Sequence, residues 1–396
     1  MFDLPTLEPV SRRVSAIAVA AVILVSAGSA GAASFEDAGR YVFVPNRASA
    51  DVAVIDSRSD TLVARIEVGN VPHQVVIADR LGKMVASNTD DNTVSIVDLA
   101  SPQRAKTLIL DVEPEHMELA PDGVTLAVGN IGAGTVSLLS LHEDREIARI
   151  EGLFEPHNLT FSPDGSLLYV ANLGADHISV IDVAEAALIS EIPVAGPTPV
   201  AAAGEGAEEE YQGIINVTRT PDGRFGFAAH GEGNSLAVVD LRSFEKLKDI
   251  ALGELPWRAY STADGRFMLV PNNGDETVSV ISATSLEVVA TLPGAEDMTG
   301  VNSGWFETVA AVVSRGEDKL VLIDLVEMAP AGEIALPGTP ETGVTTPDGR
   351  KLYVALSGSD QVAVVDLKTR SLLKTIDDVG EEPWGATMAG ALNYCH

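Results

Sequence analysis

One short strand pattern, ending in aspartate or serine, recurs eight times along this chain of 396 residues. The eight segments end at Asp56, Asp98, Ser140, Asp182, Asp240, Ser282, Asp324 and Asp366, which are 42 residues apart except for one interval of 58. A second marker, an Asp-Gly turn preceded by proline or alanine, follows the same period and ends at Gly123, Gly165, Gly223, Gly265 and Gly349. Proline, aspartate and glycine each favour tight turns, so these are predicted hairpin corners. The two markers together indicate eight equal units with one sixteen-residue insertion.

Each unit predicts four short strands, illustrated by residues 158–161, 167–171, 178–182 and 188–192. Small antiparallel sheets repeated around an axis form a β-propeller, which protects its strand edges by closing into a ring. A solenoid is disfavoured because no unit contains a helical pattern and leucine-rich repeats are only about 20–29 residues long. The predicted fold is therefore an all-β propeller of eight four-stranded blades, with seven as the alternative if one unit is degenerate. Residues 41–44 and 384–389 are expected to share a blade and close the ring.

The repeat resembles that of the YVTN β-propeller family, also described as YncE-like. The segments that carry the likeness are Leu168-Tyr169-Val170-Ala171-Asn172, Phe161-Ser162-Pro163-Asp164-Gly165 and Val278-Ser279-Val280-Ile281. It covers about residues 40–390 and implies a propeller that serves as a binding platform, a surface-layer module or a partner of redox enzymes. The chain departs from the pattern around residues 300–307, which lack the Pro-Asp-Gly corner, and at Leu356, which replaces a turn asparagine.

Composition restricts the classes of partner. Acidic residues outnumber basic ones 57 to 26, and the net charge of −31 disfavours binding to nucleic acid and to anionic lipid. A hydrophobic fraction of 46% is enough for a large core. The single cysteine, Cys395, excludes an intrachain disulfide framework.

Residues 1–33 are predicted to be a signal peptide. Arg12 and Arg13 precede an apolar run at 14–25 and then small residues, with cleavage expected after Ala32 or Ala33. A retained membrane anchor is the alternative, but the apolar run is shorter than the roughly 20 residues that a span requires. The pattern favours Sec export, with the twin-arginine route as a second interpretation. We expect a periplasmic or secreted monomer with no membrane span after cleavage and with one propeller domain at 34–391.

Five of the seven histidines are predicted to lie on one face of the ring. His73, His116 and His157 precede innermost strands, while His177 and His230 lie in or beside hairpins between second and third strands. Propellers usually bind ligands where these two sets of loops converge. The predicted ligand-binding residues are His73, Glu115, His116, His157, Asn158, His230, Trp257, Arg258, Glu341 and Trp384. His73, His116 and His157 are also candidate ligands for copper or zinc. The alternative is that these polar groups only solvate strand ends, and the position of His230 also suits a turn residue.

Two further segments carry predictions. The acidic insertion at 197–212 is expected to overhang the same face, as a docking loop for a basic partner or as a tolerated surface insertion. The tail, 392–396, ends in Cys395-His396 and resembles half of a c-type haem attachment motif. Leu392 stands where that motif requires a cysteine, so covalent haem is not expected.

No nucleophile elbow, phosphate-binding glycine loop or zincin motif is present in the sequence. The leading hypothesis is therefore a non-catalytic exported protein that captures a small ligand or a basic or redox protein partner at the His-rich channel mouth. The first alternative is an enzyme, either a lactonase or a metal- or cofactor-dependent oxidoreductase. The second alternative is a structural interaction ring.

Overall fold

The computed structural model describes residues 34–195 and 213–391. The predicted signal peptide (1–33), the insertion (197–212) and the tail (392–396) lie outside these ranges. The described chain forms eight sheets of four antiparallel strands each. None of its helices is both long enough and apolar enough to span a membrane.

In each of the first four blades, the strands lie in the following order from the innermost outward. Blade 1 contains β32 (Thr387–Met388), β1 (Tyr41–Asn46), β2 (Asp51–Asp56) and β3 (Thr61–Glu67). Blade 2 contains β4 (Pro72–Ala78), β5 (Lys83–Asn88), β6 (Thr93–Asp98) and β7 (Ala105–Ile109). Blade 3 contains β8 (Pro114–Leu119), β9 (Thr125–Asn130), β10 (Thr135–Ser140) and β11 (Arg145–Ile150). Blade 4 contains β12 (Pro156–Phe161), β13 (Leu167–Asn172), β14 (His177–Asp182) and β15 (Ala187–Pro193).

The other four blades repeat this order. Blade 5 contains β16 (Thr218–Arg219), β17 (Phe225–His230), β18 (Ser235–Asp240) and β19 (Glu245–Ala251). Blade 6 contains β20 (Tyr260–Ser261), β21 (Phe267–Asn272), β22 (Thr277–Ser282) and β23 (Glu287–Pro293). Blade 7 contains β24 (Met298–Gly304), β25 (Val309–Ser314), β26 (Lys319–Asp324) and β27 (Ala329–Ala335). Blade 8 contains β28 (Pro340–Thr345), β29 (Lys351–Leu356), β30 (Gln361–Asp366) and β31 (Ser371–Ile376). Short 3₁₀ turns occupy Ala38–Arg40, Asp79–Leu81 and Ile131–Ala133.

The ring closes as the sequence predicts, because the two ends of the chain share blade 1. Strand β1 pairs with β32 through Val42–Met388 and Phe43–Thr387. Eight buried apolar clusters form the core, and each lies between two neighbouring blades. One of them joins blade 8 to blade 1, so the hydrophobic contact is continuous around the ring.

In blades 3, 4, 5, 6 and 8, the predicted Asp-Gly corner joins the innermost strand to the second strand. The glycines of these corners have φ between 66° and 74°, a left-handed conformation that glycine adopts without a Cβ clash. A Cβ built on Gly223 would lie 2.4 Å from Cδ of Pro163, which belongs to the corner of the preceding blade. Glycine is therefore required here both by the dihedral angle and by the contact between blades.

The corner of blade 7 lacks the Pro-Asp-Gly sequence, as noted above, and is built from other residues. Trp305, Phe306 and Glu307 replace Pro-Asp-Gly, and all three have left-handed φ values of 47°, 59° and 56°. Glu307 accepts a hydrogen bond from the backbone N–H of Ala263, which ties the turn to blade 6. Three successive non-glycine residues in this region store backbone strain, at about 1–2 kcal/mol each.

Releasing the strain at Phe306 should be measurable by comparing two variants. Phe306→Gly and Phe306→Ala both remove the exposed ring and its edge contact with Trp305, but alanine keeps the Cβ that disfavours φ of 59°. After allowing for the greater freedom of glycine in the unfolded chain, we expect the glycine variant to be more stable by about 0.5–1 kcal/mol. Urea denaturation of the two variants tests this, and a more stable alanine variant would contradict it.

Candidate functional site

The central channel has a mouth at the end where the innermost strands begin. The loops that lead there cross from the outer strand of one blade to the inner strand of the next. Strands β4, β8 and β12 each begin with a proline, and the residue before that proline has a left-handed backbone conformation. Its φ is 50° at Val71, 55° at Glu113 and 48° at Glu155. This turn directs Pro72, Pro114 and Pro156, and the residues after them, into the channel.

A bulge follows each of these prolines and re-aims the next side chains. The strand register shifts between Pro72 and Val75 in β4, between Pro114 and Met117 in β8, and between Pro156 and Leu159 in β12. In a regular strand, consecutive side chains point to opposite faces. The bulge interrupts that alternation in β8, so the adjacent residues Glu115 and His116 both reach the same group of side chains.

Three blades thereby bring together His73, Glu115, His116 and His157, which we call the mouth cluster. Glu115 lies between two imidazoles, with Oε1 3.3 Å from Nδ1 of His73 and Oε2 3.9 Å from Nε2 of His116. One ligand atom from each of these three residues lies within 4.8 Å of the other two. His157 joins through His116, since their Nε2 atoms are 3.0 Å apart.

The tautomer of His157 is set by the backbone. Its Nδ1 is 2.9 Å from the carbonyl oxygen of Ile215, which can only accept, so Nδ1 carries the proton. In the neutral ring, Nε2 therefore carries no proton, and its lone pair faces His116. A backbone carbonyl that orients an imidazole in this way is typical of histidines that bind metals.

Two members of the cluster are buried and two are half-buried, and this burial changes the acid–base chemistry of the site. His73 is 6% exposed and His116 is 2% exposed. Burial raises the pKa of Glu115 to about 7, Arg47 acts in the opposite direction, and Glu113 raises the value further. The Arg47 guanidinium stacks 4.2 Å from the ring centroid of Trp384, whose ring lies 6.1 Å from that of His73. Trp384 and Arg47 therefore border the cluster.

These distances are close to those of a metal centre. Tetrahedral sites with metal–ligand bonds of about 2.0–2.2 Å separate their ligand atoms by roughly 3.3–3.6 Å. The His73–Glu115 separation of 3.3 Å falls in this range, the His116–His157 separation of 3.0 Å is slightly shorter, and the separation of 3.9 Å between His116 and the other oxygen of Glu115 is slightly longer. Imidazole and carboxylate donors together suit zinc and copper, and two imidazoles with one carboxylate also suit ferrous iron.

The other predicted residues have different surroundings. His230 places Nε2 3.5 Å from Oδ1 of Asp176. Glu341 is buried, accepts a hydrogen bond from Ser357 at 2.6 Å and lies 3.5 Å from Arg315.

Asn158 accepts a hydrogen bond from the backbone N–H of Val217 and links blades 4 and 5. Trp257 is half-buried, and its backbone N–H donates to Pro271. Arg258 is 2% exposed and lines the channel below the mouth.

A cavity of about 390 Å³ continues along the channel from His116. Its lining includes residues that sequence reasoning missed, namely Gln74, Glu118, Thr160, Thr218, Arg219 and Ser261. Burial raises the pKa of Glu118 to about 7, with Arg219 acting in the opposite direction. Glu118 could have been found by stepping two residues along β8 from His116, because alternate residues share one face of a strand. Arg47 was also missed, because its hairpin carries no histidine.

The comparisons with known proteins agree on a propeller. No family model matches this sequence. A 129-residue segment is 30% identical to the seven-bladed beta-propeller protein Rv1057 of Mycobacterium tuberculosis, covering 31% of this chain and 33% of that protein. The match thus spans about a third of the relative's length. The YVTN family therefore stays a prediction.

Solved structures extend the likeness over most of the chain. Dihydro-heme d1 dehydrogenase NirN, in complex with DHE, superposes with a TM-score of 0.72 at 15% identity, covering 89% of this chain and 75% of that one. Hydrazine synthase of Kuenenia stuttgartiensis gives 0.56 at 21% identity, covering 74% and 95%. At such identities the likeness shows the fold alone.

Proposed function

We propose that this protein is an exported propeller that binds a transition-metal ion in the mouth cluster and through it captures a small ligand. The observation that carries the proposal is the convergence of His73, Glu115, His116 and His157 from three successive blades into one group. In this group His73 and His116 are buried, and Glu115 and His157 are half-buried. The imidazole nitrogens and carboxylate oxygens that meet here are the donor atoms that zinc and copper prefer in proteins. Zinc and copper are the proposed metals.

The charge of the mouth face supports a cationic guest. Its loops carry adjacent pairs of acids at Asp90-Asp91, Asp275-Glu276, Glu296-Asp297, Glu317-Asp318, Asp377-Asp378 and Glu381-Glu382. Apart from Arg258 inside the channel, the basic residues in the described loops of this face are Arg47 and Arg315. The negative electrostatic potential of these acidic loops concentrates cations at the channel mouth. It also suits docking of a basic protein partner, including a redox partner.

Metal content is the direct test. The mature chain, purified without a histidine tag, would be loaded with Zn²⁺, Cu²⁺ or Fe²⁺, desalted and analysed for metal. We expect about one equivalent of zinc or copper, since one cluster supplies one set of ligands. Simultaneous replacement of His73, His116 and His157 by alanine should abolish retention of the metal.

A matched control uses His142, a histidine in a turn on the opposite face. His142→Ala should retain the wild-type metal content. Far-UV circular dichroism verifies that the triple variant keeps its sheets. Equal retention by the triple variant and the wild type, or no retention by either, would overturn the proposal. Retention of iron alone would refute the choice of zinc or copper.

A metal-dependent enzyme is the second candidate, favoured by the cavity that adjoins His116. Coordination by His73, Glu115 and His116 alone would leave one position of a tetrahedral metal open, which is typical of catalytic zinc, whereas structural zinc is fully enclosed by protein ligands. Turnover of a substrate by the metal-loaded protein, lost in the triple variant, would distinguish catalysis from capture. A structural ring predicts no stabilisation by any added metal or small ligand.

A further inference from the structure

We propose that the outer edge of blade 2 binds an extended basic segment of a partner protein, which adds a fifth strand beside β7. This inference goes beyond the proposed metal function and concerns a different part of the ring. In every blade the fourth strand is an edge strand, because no further strand pairs with it in the described chain. Such an edge offers unpaired backbone N–H and C=O groups to another chain. Three features of β7 make its edge suited to a partner.

The first feature is the absence of a bulge in β7. The other seven edge strands each carry one, seen as a register shift against the third strand of the blade. Strand β7 pairs with β6 without any shift, from Val97–Ala105 to Thr93–Ile109. Bulges on edge strands twist the edge and hinder pairing with another chain. Strand β7 therefore keeps a regular edge that the other seven blades lack.

The pairing within blade 2 shows which backbone groups of β7 face outward. The N–H of Leu110 donates to the carbonyl of Asn92, which lies opposite it at the end of the β6–β7 ladder. Hydrogen-bonded and non-hydrogen-bonded pairs alternate along an antiparallel ladder. The backbone N–H and C=O groups of Ala105, Thr107 and Ile109 therefore point away from β6, toward the open edge. An added strand can pair with these three residues.

The second feature is a groove of about 850 Å³ along one face of β7. The side chains of Thr107 and Ile109 line this groove, and Ile109 is 81% exposed. A lysine that projects from an edge strand would hinder pairing. Lys106 does not do so, because alternate side chains point to opposite faces and its Nζ donates to the carbonyl of Asp144 in blade 3. The groove therefore leaves apolar surface uncovered at an accessible edge.

The third feature is the charge of the groove. Its lining includes three carboxyl groups, on Glu67, Asp91 and Asp111, and it contains no lysine or arginine. Asp111 pairs with Arg149 at 3.2 Å. Glu67 and Asp91 have no ion-pair partner within 4.0 Å in the part of the chain that the structure describes. The groove therefore favours lysine or arginine side chains, whose aliphatic stems can also cover Ile109.

These features together define the occupant. Side chains alternate along a strand, so every second residue of the added segment faces the groove. Basic residues at these alternate positions match the free carboxylates, and β-branched residues between them favour the extended conformation. Such a segment binds by strand addition, in which backbone hydrogen bonds supply affinity and alternate side chains supply selectivity.

Three six-residue probe peptides test this pattern in a fluorescence titration at about 0.15 M salt. The first, Lys-Val-Lys-Val-Lys-Val, alternates, and the second, Lys-Lys-Lys-Val-Val-Val, has the same charge without the alternation. The third is the alternating peptide with methylated lysine backbone nitrogens, which removes the N–H groups that would pair with β7. We expect the first to bind at least about tenfold more tightly than the other two. Equal binding of the alternating and block peptides would overturn the proposal, because only nonspecific attraction to an acidic protein would remain.

Thr107→Pro tests the edge itself. Proline removes the outward N–H of residue 107 and places its ring on the open edge, and edge strands tolerate proline where the N–H faces solvent. We expect this variant to weaken binding of the alternating peptide by about tenfold or more. The matched control, Thr107→Ala, keeps the N–H and should bind like the wild type. Circular dichroism verifies that both variants keep their sheets, and unchanged affinity in Thr107→Pro would contradict strand addition.

Charge variants give a second test that leaves the backbone of β7 unchanged. Glu67→Gln should weaken binding of the alternating peptide by about twofold to fivefold, the effect of one exposed ion pair. The control is Glu287→Gln, an exposed acid on the edge strand of blade 6, which should bind like the wild type. Equal affinities of these two variants would place the peptide outside the groove and overturn the proposal.

Amide hydrogen exchange locates the contact. The alternating peptide should slow exchange in a fragment covering β7 and leave a fragment covering β23 unchanged. Protection elsewhere without protection of β7 would refute the assignment. The titrations use chelator-treated protein, so their outcome is independent of the proposed metal site.

A second copy of this chain is the other occupant that a regular edge admits. Sedimentation velocity of the wild type and of Thr107→Pro distinguishes the two. A monomeric wild type supports a separate partner. A concentration-dependent dimer that is lost in Thr107→Pro would assign the edge to self-association and would overturn the proposal of a basic partner.

Discussion

Replacing His116 with alanine should lower the affinity for Zn²⁺ or Cu²⁺ by more than about 100-fold, because even loss of an outer partner of a metal ligand costs about 10–100-fold. His116 is central to the mouth cluster, with Nε2 3.0 Å from His157 and 3.9 Å from Glu115. Its ring also packs 5.0 Å from that of His73. The alanine variant therefore removes the group that links His157 to the other ligands.

The measurement is a competition titration with a chromophoric chelator, and the control is His142→Ala, whose affinity should not change. Thermal unfolding of the metal-free proteins is recorded in parallel, because His116 is buried and its loss leaves a small cavity. An affinity of His116→Ala equal to that of His142→Ala would exclude His116 as a ligand.

Ending the chain after Ile376 should destabilise the whole ring and not merely fray one blade. The truncation removes β32 and leaves the edge of β1 unpaired, including the Pro45 carbonyl that accepts from Trp384. It also removes Val379 and Met388 from the cluster between blades 8 and 1. Burying side chains of this size is worth about 1.5–3 kcal/mol each, so with the lost hydrogen bonds we expect a loss of more than about 5 kcal/mol.

The matched control ends after Ala391, which removes only the predicted tail and should unfold like the full chain. Both proteins are compared by urea denaturation monitored by circular dichroism. A chain ending at Ile376 that unfolds cooperatively at the wild-type midpoint would contradict the account of ring closure.

The sequence predicts the fold closely because every blade repeats one set of short-range rules. Turn chemistry at the Asp-Gly corners and the strict period of 42 locate all eight units, and β12 to β15 lie within two residues of the predicted strands. Closure through blade 1 also follows from the sequence. The first unit lacks an innermost strand, and the last predicted strand follows eight units without a unit of its own, so together they complete one blade. Blade 7 keeps its register despite lacking the corner motif, because Trp305 to Glu307 adopt the left-handed turn anyway.

The site is predicted only in part, because the repeat places residues on a face without aiming their side chains. The sequence places His73, His116 and His157 at the channel mouth, yet regular alternation would separate Glu115 from His116. The bulge after Pro114 that brings them together has no distinct sequence signal. Equivalent positions also meet different neighbours: Glu341 follows a similar bulge but pairs with Arg315 and Ser357.

X-ray absorption spectroscopy of the zinc- or copper-loaded protein shows directly whether the mouth cluster holds the metal. We expect a first shell of nitrogen and oxygen atoms at about 2.0–2.2 Å from the metal, with the outer scattering of two or three imidazole rings. The variant that lacks His73, His116 and His157 should retain no metal after desalting and should therefore show no metal absorption edge. A shell of oxygen atoms without imidazole scattering in the wild-type protein would show that the metal binds elsewhere and would contradict the account.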